Sequence, residues 1–272
     1  MPLGFERRTA TPLPRSVLGH GARAGVDLMP HPVAIERRTI AEGHPFESLT
    51  ARPSTHAAPT AAVMVVHDIT GSESDIVESL RIVAQQGYLA VAPLLYTGGG
   101  SKLTCMVATM RSLAMRRGPA FEVIELTRTA ILDDALCNGE VAIVGFCMGG
   151  GFALLEADRR YVAAAAFYGY LTSYKSISEQ SCPVVASFGS RDPLLPRGEH
   201  RLRRALDSRG VESDIKTYPG VGHGFANHID LVPEKLLRIT GFGYNQAAAT
   251  DAWTRVFEFL SARFSHNSDR QG

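Results

Sequence analysis

The pattern Gly-x-Cys-x-Gly around Cys147, with its glycines at Gly145 and Gly149, could present a cysteine thiol as a nucleophile. A short apolar run rich in β-branched residues, 141–144, precedes it and predicts a buried strand, and residues 152–155 predict the start of a helix. A side chain at the tip of such a sharp turn faces substrate, and the flanking glycines are needed because a Cβ would clash there. Since the thiolate is the attacking species of a cysteine, we predict chemistry that depends on control of the thiol's ionisation.

Two other interpretations of this segment stay open at this point. Free cysteine is among the most buried residue types, so a cluster of glycine, cysteine and alanine can simply let a helix pack on a strand. A dinucleotide-binding turn is less well supported, because the glycines do not follow the G-x-G-x-x-G pattern. Other residues of the chain must therefore decide whether Cys147 is a nucleophile or a buried structural thiol.

A carboxylate and a histidine follow later, each just beyond a strand-like run. Asp192 lies in a turn-rich loop after residues 183–188, and His223 lies between two glycines after residues 213–218. Taken singly, Asp192 could be a turn former or a helix N-cap, and His223 could be an ordinary loop histidine. The order nucleophile, acid, histidine at the ends of successive strands is nevertheless that of a catalytic triad, so we predict a triad of Cys147, Asp192 and His223.

The combined pattern resembles the dienelactone hydrolase family of the α/β-hydrolase superfamily. The hallmark of that family is a G-x-C-x-G-G turn together with this order of the triad, and the similarity runs from about residue 61 to residue 264. It includes the strand-like run 63–66 followed by His-Asp-Ile-Thr-Gly, and the stretch 86–93 before Leu95 and Tyr96. The resemblance implies an α/β-hydrolase fold and the cleavage of ester bonds.

Three positions depart from the family's pattern. The family has a glutamate that takes part in switching the thiol to thiolate, and the matching residue here is Asp68, one methylene shorter. Members that process dienelactones carry two arginines that hold the substrate carboxylate, and the matching residues are Thr97, directly after Tyr96, and Asn227. An arginine fork binds a carboxylate in bidentate fashion, and neither threonine nor asparagine supplies that charge. The resemblance thus implies that Asp68 modulates the thiol and that Tyr96, Thr97 and Asn227 contact substrate, but it leaves acceptance of a dienelactone open.

The mechanism that follows is attack of the Cys147 thiolate on an ester or lactone carbonyl, with His223, oriented by Asp192, moving the protons through a thioester intermediate. The backbone N–H groups of Met148 and Ile69 are expected to hold the oxyanion, and Met148 also lies at a helix N-terminus, where negative charge is favoured. No cofactor is expected, because this chemistry is complete without one. A general carboxylesterase or thioesterase, and a non-catalytic ligand-binding protein of the same fold, are the alternatives.

Composition narrows the classes of partner. The 272 residues are 45% hydrophobic, and 28 basic against 27 acidic residues leave a formal net charge of +1, so neither nucleic acid nor an anionic membrane is an expected partner. No apolar run approaches the roughly 18 residues of a membrane span, and no secretory signal is evident. The four cysteines lack C-x-x-C spacing, so neither a metal site nor a disulfide framework is expected. We expect a cytoplasmic protein, monomeric or a small homo-oligomer, that acts on a small-molecule ester or lactone.

The chain divides into three parts. Residues 1–35 are rich in proline and arginine without sustained periodicity and are predicted to form a flexible extension; the prolines disfavour a transit peptide, which would need an amphipathic helix. Residues 36–265 are predicted to form a single α/β-hydrolase domain. Residues 266–272 are assigned to a tail.

From residue 61 the chain alternates between strand-like and helical patterns, which is typical of a mostly parallel central sheet with helices on both faces. The predicted strands are 61–66, 89–92, 141–144, 161–167, 183–188 and 213–218, preceded by two candidate edge strands at 33–38 and near 46–51. The predicted helices are 73–86, 103–115, 121–136, 199–209 and 247–264. A helix stop at Gly87, in a left-handed conformation, is expected after the first of them.

Overall fold

The computed structural model describes residues 33–53, 58–157, 160–228 and 240–271. The predicted flexible extension therefore lies outside the described residues as far as residue 32. Within the described ranges the chain forms eight strands: β1 Ile35–Thr39, β2 Glu47–Ala51, β3 Thr60–Val66, β4 Leu89–Leu94, β5 Cys137–Phe146, β6 Ala164–Phe167, β7 Val184–Gly189 and β8 Ser213–Tyr218.

These strands form one sheet in the order β1-β2-β4-β3-β5-β6-β7-β8. The pairs β1·β2 and β2·β4 are antiparallel, and the other neighbours are parallel. The inner strands are buried along their length and are rich in valine and alanine, as expected for strands covered on both faces. The predicted mostly parallel sheet is therefore confirmed, and the two predicted edge strands form its antiparallel end.

The described part of the chain also forms six α-helices and one 3-10 turn: α1 Glu73–Gln85, α2 Lys102–Met115, α3 Pro119–Leu132, α4 Met148–Glu156, the 3-10 turn Tyr174–Ser176, α5 Gly198–Asp207 and α6 Gln246–Gln271. Helix α1 links β3 to β4, which is the neighbour of β3 on the side of β1. Helix α4 links β5 to β6 and α5 links β7 to β8, and in both cases the chain moves toward the other edge of the sheet, at β8. Because such crossovers are right-handed, α1 lies on the opposite face from α4 and α5. Helix α6 shares the face of α1, since Trp253 and Ile82 line one pocket.

Local sequence accounts for where the first helix begins and ends. Its apolar stripe of Ile76, Leu80 and Val83 is buried against the sheet, and acidic residues occupy its first turn, where the helix dipole favours them. Gly87 follows the helix with φ of 89°, a left-handed conformation that a residue without a Cβ adopts at little cost. The predicted helix stop at Gly87 is thus confirmed.

Several element ends differ from the sequence prediction by a few residues; β5, for example, extends beyond the predicted 141–144 at both ends, and β6 begins at Ala164 rather than at residue 161. Two of the helix ends that differ have a local explanation. Helix α3 ends at Leu132 and β5 begins at Cys137, because the Asp134 carboxylate accepts the N–H of Leu136 at 2.9 Å and its carbonyl accepts the N–H of Cys137 at 2.8 Å. This aspartate turn replaces the last predicted turn of helix. Helix α6 continues past the predicted end at residue 264 to Gln271, since neither glycine nor proline interrupts it and only the apolar stripe stops.

An aromatic cluster joins α6 to the centre of the sheet. The ring centroids of Phe146 and Phe167 are 4.7 Å apart, Trp253 lies 4.9 Å from Phe167, and Phe257 lies 5.3 Å from Trp253. All four side chains are buried, so their removal from water stabilises the packing of α6 on β5 and β6. Because Phe146 is the last residue of β5 and directly precedes Cys147, this packing holds the strand end that carries Cys147. Within the described ranges, no helix combines the length and apolar character that crossing a bilayer requires.

Candidate active site

Cys147 occupies the turn between β5 and α4 in a strained backbone conformation. Its φ is 50° and its ψ is −113°, a region that costs a non-glycine residue on the order of 1–3 kcal/mol. Three backbone hydrogen bonds hold it there: its N–H donates to Phe167 O at 3.0 Å, and its carbonyl accepts from Tyr170 at 2.8 Å and from Gly151 at 3.0 Å. These hydrogen bonds hold the residue that carries the half-buried thiol in its strained conformation.

The two glycines of the pattern are required by close backbone contacts. A Cβ on Gly145 would lie 2.1 Å from the carbonyl oxygen of Gly149, and a Cβ on Gly149 would lie 2.1 Å from the carbonyl oxygen of Val66. Neither contact involves a side chain that could move aside. The reason predicted for these glycines is thus confirmed, and the first turn of α4 packs directly on the end of β3.

Asp192 and His223 come together at the carboxyl ends of β7 and β8. The Nδ1 atom of His223 lies 2.7 Å from Oδ2 of Asp192, while Oδ1 of Asp192 accepts the N–H groups of Leu194 at 2.8 Å and Leu195 at 3.1 Å. Only 5% of the His223 side chain and 1% of the Asp192 side chain are exposed. The carboxylate is an acceptor only, so it fixes the proton of His223 on Nδ1 and leaves Nε2 for chemistry.

The Nε2 atom of His223 is buried and has no hydrogen-bond partner within the part of the chain that the structure describes. The sulfur of Cys147 is close enough to the His223 side chain to influence its ionisation. Burial alone would lower the pKa of His223, but the hydrogen bond to Asp192 and the interaction with the Cys147 sulfur outweigh it and raise the pKa to about 9. The structure thus brings the three residues of the predicted triad together; their catalytic roles stay a prediction.

The loop that carries His223 is fastened by a segment that the sequence did not point to. The N–H of His223 donates to Gly241 O at 2.8 Å, and the N–H of Gly243 donates to His223 O at 3.1 Å. The rings of Tyr168 and Phe242 pack against the imidazole at centroid distances of 4.9 and 5.6 Å. Tyr168 directly follows β6, at the edge of the sheet that carries the triad. That position is the sequence signal that could have indicated the packing of Tyr168 on His223.

Asp68 and Asn227, predicted separately, are bonded to each other. The Oδ2 atom of Asp68 accepts a hydrogen bond from Nδ2 of Asn227 at 2.9 Å, and its Oδ1 accepts from the N–H and the hydroxyl of Thr70 at 2.9 and 2.6 Å. Both side chains are buried. These contacts join the loop after β3 to the loop after His223, and the proposed influence of Asp68 on the thiol stays a prediction.

Tyr96 lies between the two residues whose N–H groups are expected to bind the oxyanion. Its hydroxyl donates to the carbonyl oxygen of Ile69 at 2.9 Å and lies 3.9 Å from the sulfur of Met148. Its ring packs edge-on against His67 at 4.9 Å, and burial raises the pKa of the phenol, which keeps it a neutral donor. Tyr96 therefore fixes the peptide group between Ile69 and Thr70, while its predicted contact with substrate stays a prediction.

His67 supports this loop from the inside. Its Nε2 accepts the N–H of Leu95 at 3.2 Å, so the proton sits on Nδ1, which donates to the carbonyl of Asp68 at 2.7 Å. Burial lowers the pKa of His67, and the imidazole is accordingly a neutral structural bridge between β3 and β4.

The hydroxyl of Thr97 is used within the sheet. It accepts the N–H of Glu47 at 2.9 Å and donates to Leu94 O at 2.9 Å, which ties the end of β4 to β2. The position that matches a substrate-binding arginine in the family thus carries a side chain whose hydrogen bonds go to the protein. Its predicted contact with substrate could involve only the methyl group or one remaining lone pair.

Comparison with known proteins finds similarity over most of the chain. A family model described as "Dienelactone hydrolase family" matches residues 46–264. A protein of Yersinia pestis described as "Putative carboxymethylenebutenolidase" is 29% identical over 266 residues, 90% of this chain and 91% of the relative. The carboxymethylenebutenolidase of Pseudomonas putida is 27% identical over 231 residues, 81% of this chain and 92% of the relative. A crystal structure described as "Putative Dienelactone Hydrolase from Klebsiella pneumoniae subsp. pneumoniae MGH 78578" superposes with a TM-score of 0.67 at 24% identity, covering 86% of this chain and 99% of that chain, which shows the fold.

Proposed function

The chain belongs to the dienelactone hydrolase family, whose members are carboxylic ester hydrolases, and on that premise we propose that it cleaves ester or lactone bonds of small molecules through Cys147, His223 and Asp192. The observation that carries the proposal is the buried Asp192–His223 pair, whose Nε2 has no hydrogen-bond partner among the described residues and whose imidazole lies near a cysteine held at φ of 50°. A structural cysteine has no need of a strained turn or of a buried, oriented imidazole.

Acylation follows from this arrangement. The Cys147 thiolate attacks the carbonyl carbon, and the backbone N–H groups of Met148 and Ile69 are the proposed donors to the oxyanion that forms. Met148 opens α4, so its N–H points out of a helix N-terminus, where the helix dipole favours negative charge. As the intermediate collapses, the C–O bond breaks and the imidazolium of His223 gives its Nε2 proton to the departing alkoxide, which leaves a thioester on Cys147.

Deacylation restores the enzyme. His223, now neutral at Nε2, takes a proton from water, and the resulting hydroxide attacks the thioester carbonyl. Collapse of this second intermediate expels the thiolate and releases the acid, while His223 is left protonated. Asp192 stabilises the imidazolium in both steps without taking up the proton.

The state of the thiol can be measured directly. Because the pKa of His223 is raised to about 9, the imidazolium persists at neutral pH and places a positive charge near the Cys147 sulfur. Iodoacetamide should therefore alkylate Cys147 faster than half-buried Cys105 between pH 6 and 7, as followed by mass spectrometry of the two peptides. The advantage should shrink as the pH rises through about 9, where His223 loses its proton and ordinary thiols ionise as well.

The variant His223→Gln removes the cation and is the matched control for this experiment. Equal alkylation rates of Cys147 and Cys105 near neutral pH in the unaltered protein would contradict the proposed activation.

Substrate charge is the point at which this chain departs most from its family. Thr97 and Asn227 stand where two arginines are expected, and the hydrogen bonds of both side chains already go to protein groups. A charge-assisted hydrogen bond is worth about 1.5–3 kcal/mol, so the loss of two should lower carboxylate affinity roughly a hundredfold or more. Neutral esters or lactones should be hydrolysed at least as well as acidic ones.

The test is a panel of p-nitrophenyl acetate, longer acyl esters and cis- and trans-dienelactone, with kcat/KM also measured for pairs that differ only in a free carboxylate or its methyl ester. Hydrolysis of the neutral members is expected, which would favour a general carboxylesterase or thioesterase within the family. A strong preference for the free acids would show that another cation binds them. No hydrolysis of any member would favour the non-catalytic ligand-binding alternative. A cytoplasmic location and a monomer or small homo-oligomer stay predictions of the sequence.

A further inference from the structure

A cleft lies between the 3-10 turn Tyr174–Ser176 and helix α5. Its volume is about 440 Å³, and none of the residues that line it belongs to the triad or to the loop after β3. It is lined by Lys175 and by three arginines of α5 and its end, Arg201, Arg204 and Arg209. The whole chain carries a net charge of only +1, so this concentration of positive charge is local.

The lining carries hydrogen-bond donors without opposing carboxylates. Besides the four cations, it contains a histidine, a phenol, three aliphatic hydroxyls and one alanine, and no aspartate or glutamate among the described residues. No ion pair neutralises Lys175, Arg201, Arg204 or Arg209 within the described ranges, whereas the neighbouring Arg203, which is not part of the lining, pairs with Glu199. Unneutralised like charges repel each other, and an anion bound among them would relieve that repulsion.

Several of these donors are already held in place. The guanidinium of Arg209 donates to the carbonyls of Ala205 at 2.8 Å and Lys175 at 3.0 Å, which fixes the plane of its fork. The guanidinium of Arg201 stacks over the ring of Tyr174 at 5.1 Å. Tyr174 is a buried residue, and its buried hydroxyl has no hydrogen-bond partner in the described part of the chain.

We propose that this cleft binds a phosphate monoester or diphosphate group of a small molecule. Arginine forks match the paired oxygens of phosphate, and such a group carries close to two negative charges at neutral pH. A single carboxylate would leave most of the four positive charges unopposed. The cations lie within one cleft rather than along an extended surface, which favours a small anion over a polymer such as nucleic acid.

The test uses inorganic pyrophosphate and ADP as probes, with acetate for comparison, in calorimetric titrations of the full chain at about 50 mM and 200 mM salt. Both phosphate probes should bind, acetate should not, and the affinity should fall at the higher salt concentration because exposed charges are screened. Equal affinities for the two probes would mean that the phosphate alone is recognised. At least about tenfold tighter binding of ADP would mean that a nucleotide carries the phosphate.

The double variant Lys175→Gln/Arg204→Gln removes two exposed cations whose side chains make no hydrogen bond or ion pair within the described ranges, so folding should be unaffected. Its Kd for pyrophosphate should rise at least about tenfold while the rate of p-nitrophenyl acetate hydrolysis stays unchanged. The matched control, Arg81→Gln/Arg111→Gln, removes the same charge from exposed positions on α1 and α2 and should leave Kd within about twofold. An equal loss in both variants, no binding of pyrophosphate, or binding of long polyanions alone would overturn the proposal.

Discussion

Replacing Cys147 with alanine is expected to abolish the turnover of every ester that the protein accepts. The change removes the nucleophile while the oxyanion donors stay, so kcat should fall on the order of 10⁶-fold, to the residual rate that binding and backbone donors provide. The measurement is kcat with the best p-nitrophenyl ester of the panel. Cys105→Ala, at a half-buried thiol outside the triad, is the matched control and should keep the rate of the unaltered protein.

The variant Cys147→Ser separates a role as nucleophile from a role in packing. Serine fits the same turn, so the fold should be retained, but its hydroxyl must lose a proton during attack, whereas the thiolate exists beforehand. Activity should therefore stay poor. If Cys147→Ala retained a rate near that of the unaltered protein, Cys147 would have no part in the mechanism.

Replacing Asp192 with asparagine should lower kcat by roughly 10⁴-fold, as in other triads. The N–H groups of Leu194 and Leu195 both donate to Oδ1, so they hold the amide oxygen of an asparagine there and turn its NH₂ group toward Nδ1 of His223. A donor at that place forces the proton of the neutral imidazole onto Nε2, which is the wrong tautomer for a base.

The same substitution should also shift the pH profile. Asp192 helps to raise the pKa of His223 to about 9, so in the variant the imidazolium should be lost at lower pH and the alkaline limb of kcat should move down. Asp207→Asn, at an exposed position of α5, should change neither the rate nor the profile. A rate for Asp192→Asn within tenfold of the unaltered protein would show that this carboxylate does not orient His223.

The residues that could be predicted from the sequence are those whose neighbours are close in the chain. The Gly-x-Cys-x-Gly turn carries its own signal, because the strand, the turn and the helix are contiguous. Asp192 and His223 each follow a recognisable strand, and parallel strands bring their carboxyl ends to one edge of the sheet.

Other features depend on side chains that meet only after folding. Asp68 and Asn227 are 159 residues apart, and no local pattern indicates that an amide of one loop will bond the carboxylate of another. The packing of Phe242 on His223 and the hydrogen bond from Glu47 to the Thr97 hydroxyl likewise join residues that no local pattern links. The prediction that α3 ends at residue 136 was wrong for a different reason. The apolar periodicity favours helix there, but the turn formed by the Asp134 side chain competes with it and ends the helix at Leu132.

The hydrogen bond between Asp68 and Asn227 has a consequence for how new specificity could be acquired. An arginine at position 227 would offer a charge to acidic substrates, but it would also withdraw the amide that holds Asp68 and alter the loop that leads to Ile69. A glutamate at position 68 alone would place a longer carboxylate against an amide positioned for a shorter one. Each single change therefore disturbs the site before it improves binding, and only the paired exchange offers a route between the two. The effects of substitutions at these two positions are expected to be non-additive. An enzyme that hydrolyses neutral esters could then evolve into one that hydrolyses acidic lactones only through a single-substitution intermediate that is less active than either.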